Sequence, residues 1–450
     1  MKRIAVIGGG IAGLTAAYRL GAEHDVVAFE RETTAGGKIR SQHIDGFLFE
    51  WGPGGFLSSA EELHALVGDL GLRDALSPAR PVAKNRFVYW NGALHKLPTK
   101  PPDALKMTLL SPLGKVRALG DLVAGRGAAG NDDESVYAFA VRRFGREVAE
   151  RLVSPALLGI SGGDAAHTSV AAVFPRLREL EAAHGSIIRG LMKGPRKPSD
   201  LCSFAAGGMQ TLTDRLSERL GDRLRRGVTV RRIEPAEAGW RVLHDAGEDR
   251  FDAVIVATPA DVSADLVDGF DGELAARLRE IPYAPMRAVG IAFRSEDVPT
   301  PLDGFGFLAA RNEGVRMLGA FYTSSIVPEH APPGTAYLRI FLGGATDRAI
   351  ATLDADAVLA IVRADLATVL GITAAPIAHH EIIWPKAIPQ YALGHRALLR
   401  AIEAREARHA GFALTGNAYR GLGVGDTVRD AAAVAGRVAS AVPTPVPQSA

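Results

Sequence analysis

The first thirty residues constrain the fold more than any other part of the chain. Arg3-Ile4-Ala5-Val6-Ile7 is a short apolar run that passes directly into Gly8-Gly9-Gly10-Ile11-Ala12-Gly13. Leu14–Leu20 then has helical character, and Asp25–Glu30 is a second apolar run that closes on an acid. Strand, glycine turn, helix, strand, acid is the order a dinucleotide-binding unit needs, and Gly8, Gly10 and Gly13 carry the G-x-G-x-x-G spacing within it. Gly8 permits the tight turn, Gly10 lets backbone approach a pyrophosphate, and Gly13 lets helix and strand pack closely. Gly9, Ile11 and Ala12 complete the turn, whose helix N-terminus offers amide donors and partial positive charge to phosphates. Glu30 is placed to accept hydrogen bonds from ribose hydroxyls.

The rest of the composition mainly excludes. A chain of 450 residues with 47% apolar content supports two or three domains and a sizeable core. A net charge of +2 gives no reason to expect nucleic acid, and the basic stretches Asp222–Arg226 and Arg231-Arg232 lack interleaved aromatics, as solvated faces do. Cys202 is the single cysteine, so no internal disulfide and no cysteine-based metal cage can form, which suits a reducing cytoplasm. His379 and His380 are adjacent in an expected strand and point to opposite faces, so no metal site is assigned. The opening residues leave no room for a signal peptide, and no apolar run reaches the length of a membrane span, while peripheral attachment stays open. The Pro-rich end, residues 441–450, is expected to be disordered.

After Glu30 comes Arg31-Glu32-Thr33-Thr34-Ala35-Gly36-Gly37-Lys38, and later Glu50-Trp51-Gly52-Pro53-Gly54-Gly55. A second Gly-Gly followed by a cation is not needed for nicotinamide cofactors. It resembles the second pyrophosphate-side motif of FAD-dependent amine oxidases, and Gly52, Pro53, Gly54 and Gly55 resemble the loop those enzymes pass beside the flavin ring. The resemblance implies FAD, with Arg31, Gly37 and Lys38 among its contacts. It extends to Phe251–Pro259, an apolar strand ending in Ala-Thr-Pro, and to Val230, whose backbone would meet the adenine. In Gly421-Leu422-Gly423-Val424, the start of the last helix would place amides at the flavin N1–O2 edge. The fold class is therefore α/β, with a discontinuous Rossmann-like FAD-binding domain from 1–80, 203–262 and 405–440.

Two insertions separate these pieces. Residues 99–202 have apolar residues at helical spacing in Ala104–Leu110, Gly114–Val123, Ser135–Phe144 and Val170–Leu191, which predicts a helical domain. Residues 81–98 and 263–404 mix strands (Ala288–Phe293, Ala336–Leu342, Ile377–Ile383) with helices (Glu273–Arg279, Asp356–Leu370), which predicts a sheet-based substrate domain. Between Trp384 and His395, Pro385 and Pro389 each remove a backbone donor, and the stretch is expected to be a stiff loop.

That loop, Ile388-Pro389-Gln390-Tyr391-Ala392-Leu393-Gly394-His395, joins Phe174-Pro175-Arg176-Leu177, Glu181, His184–Gly190, Gly162-Gly163-Asp164, Asp303–Leu308 and Gly416–Gly421 in a specific likeness. Together they resemble the oxygen-dependent protoporphyrinogen oxidases of bacteria, from about residue 3 to about 440. The family oxidises a porphyrinogen to the aromatic porphyrin, a six-electron change that turns a two-electron flavin over three times and gives hydrogen peroxide from dioxygen. The resemblance makes flavin N5 the hydride acceptor, with no general base assigned. It implies that Arg86 pairs with a propionate, that Leu308, Phe321 and Phe341 sandwich pyrrole rings, and that Gly162 and Gly163 let backbone approach the macrocycle. Trp384 is expected to touch the cofactor, and Gln390, Tyr391 and His395 to be structural. FAD is expected to be non-covalent, because Cys202 is far from the segment where related amine oxidases attach it.

One departure stands out. Many plant and bacterial members carry an asparagine in the loop where this chain has Gly54. The helical insertion resembles the family's membrane-binding domain, with Lys100, Lys106, Lys115, Arg117 and Lys193 among apolar residues, which implies peripheral attachment to the inner membrane. The partners implied are a tetrapyrrole, dioxygen and a membrane surface, with a homodimer and hand-off of product to a ferrochelatase left open. Coproporphyrinogen III is the alternative substrate. More distant alternatives are an amine oxidase, a carotenoid desaturase, or a redox-silent FAD-binding protein.

Overall fold

The computed structural model describes residues 1–100, 103–104, 106–124, 133–193 and 200–441. The expected tail lies, past Ala441, outside the described residues.

Arg3–Ile7 is the middle of a five-stranded parallel sheet ordered Leu224–Arg226, Asp25–Glu30, Arg3–Ile7, Ala253–Val256, Phe412–Leu414. Its inner strands are continuous apolar runs because both faces are covered. One face carries the helices Ile11–Leu20, Glu61–Asp69, Gln210–Leu220 and Val424–Ala441. The other carries the helices Ala260–Val267 and Gly272–Arg279 and an antiparallel meander of Val230–Pro235, Trp240–His244 and Gly247–Phe251. Three stretches distant in sequence thus share one sheet.

A seven-stranded sheet is ordered Ala378–Pro389, Tyr283–Arg294, Thr335–Gly343, Met317–Phe321, Gly306–Ala309, Arg86–Trp90, Ala93–Lys96. Alternation along the strands gives it two chemically different faces. Phe307, Ala320, Ile340, Val289 and Ile291 pack on the helix Ala355–Leu370. The opposite face is turned toward the dinucleotide unit.

Four sequence expectations change. The stretch around Pro385 and Pro389 is no loop as far as Pro389, because Ala378–Pro389 is one strand, paired with Tyr283–Arg294 through an irregularity between Ala284 and Met286. It is the edge strand, where missing donors cost no ladder bond. Val170–Leu191 is not one helix but three, Val170–Val173, Pro175–His184 and Ile187–Lys193, broken at Phe174-Pro175 and at Gly185, which is left-handed at φ 68°. Ala104–Leu110 falls partly outside the described residues, and 106–110 is irregular rather than helical, with Met107, Leu109 and Leu110 buried against Val88. The helical region also ends before 202, since Cys202 sits in the strand Leu201–Phe204 between Phe56–Leu57 and Leu76–Pro78.

Candidate functional site

The glycine turn is shaped by what a side chain would meet. Gly8 adopts φ 107°, and a Cβ there would stand 2.9 Å from the Ala257 carbonyl oxygen. At Gly13 a Cβ would collide with the Gly8 carbonyl, so helix and strand meet at this point. At Gly10 nothing lies within 4 Å of such an atom. Gly10 is also the N-cap of Ile11–Leu20, and that helix has neither a capping side chain nor an acid in its first turn. Its first amides are left for a ligand. Glu30 is buried at the end of its strand, accepting from the Gly9 N–H at 2.7 Å and the Glu32 N–H at 2.8 Å. Val230 is half-buried and begins a strand beside it, where Val228 N–H donates to the Glu30 carbonyl at 2.9 Å. Arg31 is exposed and pairs with Glu32.

From this turn a continuous path leads to the second sheet. Gly37 packs on Gly10, and Gly52 packs on the Lys38 carbonyl so closely that no Cβ would fit. The Lys38 ammonium crosses to the Ala387 carbonyl at 2.6 Å and lies 5.3 Å from the Tyr283 ring centre. Burial lowers its pKa to about 8, with Asp261 opposing. The loop Gly52–Gly55 is pinned from the sheet side. Trp384 donates its indole N–H to the Trp51 carbonyl at 2.8 Å, and Arg339 donates to the carbonyls of Glu50 at 3.1 Å and Gly52 at 3.3 Å.

Pairing across the sheet explains why the expected substrate residues come together. Arg86 pairs with Gly306, Gly306 with Phe321, and Phe321 with Arg339. Leu308 pairs with Gly319, and Gly319 with Phe341. Paired residues point to the same face, so Arg86, Leu308, Phe321, Phe341 and Arg339 share the face turned toward the glycine loop. Phe321 and Phe341 meet edge to face at 5.5 Å, and both are half-buried. Arg86 is exposed with its guanidinium 5.2 Å from the Phe305 ring centre, and it forms no ion pair among the described residues. Leu308 packs on Gly159 of the helix Ser154–Ser161. Gly162 caps that helix at φ 61° and lies against Met286 and Gly344, and Gly163 lies against Gln390, so both glycines are enclosed by protein.

A model for flavin containing amine oxidoreductases matches residues 11–439. The chain belongs to that family. Mitochondrial protoporphyrinogen oxidase of Nicotiana tabacum is 33% identical, with 94% of this chain and 92% of the relative covered. Coproporphyrinogen III oxidase of Bacillus subtilis is 30% identical, with 95% and 96% covered. In fold, a crystal structure from Exiguobacterium sp. described as a protoporphyrinogen oxidase superposes with a TM-score of 0.84 at 24% identity, covering 97% of this chain and 98% of that one. The protein is an FAD-dependent oxidoreductase.

The residues present fit such a cofactor. The uncapped helix at open Gly10 suits a pyrophosphate, buried Glu30 retains acceptor capacity for a ribose, and Lys38 is a desolvated cation without a carboxylate ion-pair partner among the described residues. At the other end of the family's fold, Gly421 N–H donates to the Tyr391 hydroxyl at 2.8 Å, while that hydroxyl donates to the Asn417 carbonyl at 2.9 Å. Tyr391 stacks on His395 at 4.0 Å. Gln390 donates to the Ser161 carbonyl at 2.9 Å, and Thr168 bridges to Ala392. The Gln390–His395 loop therefore ties the helical region to the start of the last helix, where Leu422 and Val424 are half-buried and Gly423 is exposed.

Two features escaped the sequence. Arg339 is one charged residue within the apolar run Ala336–Leu342, and that break in pattern was its only signal. Beneath the helical motifs, fully buried Arg143 donates to Glu181 at 3.1 Å and Asp121 at 3.2 Å, and Asp121 accepts from the Ser186 hydroxyl at 2.6 Å. Much of the Glu181 and His184–Ser186 signature is thus accounted for by a buried charge network. Among the described residues no group of three His, Cys, Asp or Glu is placed to hold a metal, and no helix is long and apolar enough to cross a membrane.

Proposed function

We propose that the protein oxidises protoporphyrinogen IX to protoporphyrin IX with dioxygen as acceptor, forming three hydrogen peroxide per product. The observation that carries this reading is the shared sheet face of Arg86, Leu308, Phe321 and Phe341, opposite the Gly52–Gly55 loop, in a chain whose full-length relatives are porphyrinogen oxidases. Bound FAD, held without a covalent link, supplies a two-electron acceptor that dioxygen regenerates.

The roles of the chain's own residues follow from their chemistry. Gly8 to Gly13, Gly37, Lys38, Glu30, Arg31 and Val230 hold the dinucleotide, while Gly52 to Gly55, Trp384 and Gly421 to Val424 border the flavin ring. Phe321, Phe341 and Leu308 present an apolar wall to the pyrroles and exclude water. Arg86 has no competing carboxylate among the described residues and offers its planar fork to a propionate. Gly162 and Gly163 close the far end. The division into a discontinuous FAD-binding domain, a substrate domain and a helical domain is part of the same reading.

Leu113, Val116, Leu119 and Val123 are exposed along one helical segment, near exposed Leu191 and Met192 and the cations Lys115, Arg117 and Lys193. We assign this surface to peripheral attachment at the cytoplasmic face of the inner membrane, where a poorly soluble product would leave, in a homodimer or to a ferrochelatase. Such a face suits partial insertion of apolar side chains below basic ones.

Coproporphyrinogen III is the second reading, favoured by the 30% identity to the Bacillus subtilis enzyme over 95% of this chain. Anaerobic stopped-flow mixing of the yellow protein with each porphyrinogen separates them. Faster flavin bleaching with protoporphyrinogen IX supports the first reading and the reverse preference the second. No bleaching with either defeats both.

A further inference from the structure

Arg339 is a buried cation with no carboxylate in direct contact among the described residues. It is 7% exposed and forms no ion pair among the described residues. Glu50 meets it through a backbone carbonyl, while the Glu50 carboxylate is bound elsewhere, accepting from Met209 N–H at 2.6 Å and the Ser41 hydroxyl at 2.7 Å. Nη1 of Arg339 is spent on the two loop carbonyls, and its Nε is buried with no partner. The Glu50 carboxylate offsets the charge only through space. A buried charge without a contact partner is expensive, and the group usually neutralises or finds an anion. Arginine scarcely neutralises, although burial does lower its pKa here.

Its position narrows the choice of anion. The guanidinium carbon lies 5.1 Å from the ring centres of both Phe321 and Phe341. Against its other side, a Cβ on Gly54 would fall 2.5 Å from Nη2 and 2.6 Å from Nη1. Gly54 therefore lacks a side chain because Arg339, from a different strand, already fills that space. The place that an asparagine takes in many resembling sequences is taken here by a permanent positive charge.

Resting on the reading that Gly52–Gly55 borders the flavin ring, we propose that Arg339 is a positioning residue that sets a fixed cation beside the flavin and favours its reduced, anionic form. Phe321 and Phe341 shield the guanidinium from water, and Glu50 is the opposing carboxylate nearby, so the charge acts with little solvent screening. The lysine-free loop contributes no other cation of its own between Glu50 and Gly55.

The test is the midpoint potential of the FAD-loaded protein, titrated anaerobically against a reference dye without any porphyrinogen. In Arg339→Gln the equilibrium should shift at least tenfold toward oxidised flavin, a fall of about 30 mV for a two-electron couple. Arg339→Lys keeps the charge and should stay within roughly threefold of the parent. A parental midpoint in Arg339→Gln, or equal falls in the Gln and Lys variants, overturns the proposal. Should Arg339→Gln lose its flavin, Gly54→Ala decides instead: its methyl displaces the guanidinium and should lower the midpoint, and an unchanged midpoint overturns the proposal. Wild-type flavin that no porphyrinogen bleaches would defeat the substrate reading and leave this one standing.

Discussion

The indole nitrogen of Trp384 lies 2.8 Å from the carbonyl oxygen of Trp51 and joins the edge strand of one sheet to the glycine loop of the other unit. A hydrogen bond of this kind contributes about 1 kcal/mol. Trp384→Phe keeps the apolar bulk and removes only the donor. Loss of FAD on dilution, followed by flavin fluorescence, should become roughly fivefold easier. Parental retention of flavin would show that the loop does not depend on this tie.

Arg86 projects from the start of its strand with the Phe305 ring against its charge and no ion pair among the described residues. Arg86→Ala should raise KM for the porphyrinogen roughly tenfold to a hundredfold, because a charge-assisted hydrogen bond is worth about 1.5–3 kcal/mol. Flavin content should stay at the parental level. Steady-state kinetics of both proteins, with FAD quantified by absorbance, checks the split, and equal KM values would remove Arg86 as the carboxylate anchor.

Lys38 sets a pH dependence. Burial lowers its pKa from 10.5 to about 8 in the flavin-free protein. The unfolded chain then holds more protons between those values, so this residue's contribution to stability is full above 10.5 and is lost as pH falls through about 8. Binding of a pyrophosphate favours the charged amine. FAD affinity should therefore weaken as pH rises above about 8, and Lys38→Met should bind more weakly with a flattened profile. Isothermal titration across this range tests both slopes.

Arg143 is fully buried between Glu181 and Asp121. Arg143→Met leaves buried Asp121 without its cation, while Glu181 keeps Arg142 and Arg178, at a cost of about 3–5 kcal/mol. Urea denaturation should show a much lower midpoint, whereas exposed Arg146→Met should change little.

The dinucleotide unit was legible because its signals are local: a strand, a turn with three placed glycines, a helix and an acid lie within thirty residues. Arg86, Leu308, Phe321 and Phe341 were named from resemblance, and their common face depends on pairings between strands far apart in sequence. Arg339 stayed hidden for the same reason, since nothing near residue 339 says that its partner is the space above Gly54. Pro385 and Pro389 suggested a loop because the sequence does not say which strand lies at an edge. The stretch after Val170 keeps its apolar spacing through Phe174-Pro175 and Gly185, so its periodicity masks the two breaks.

The irregular pairing between Met317 and Gly319 fixes which way the strand Met317–Phe321 faces relative to Thr335–Gly343. Removing one residue ahead of Leu338 in Thr335–Gly343 would turn Arg339 and Phe341 onto the helix side and bring Leu338 and Ile340 to the side of the Gly52–Gly55 loop. Length in this strand is thus a chemical property of the protein. Descendants of this chain can lengthen their surface turns freely, but an insertion or deletion here exchanges a charged aromatic wall for an aliphatic one in a single event.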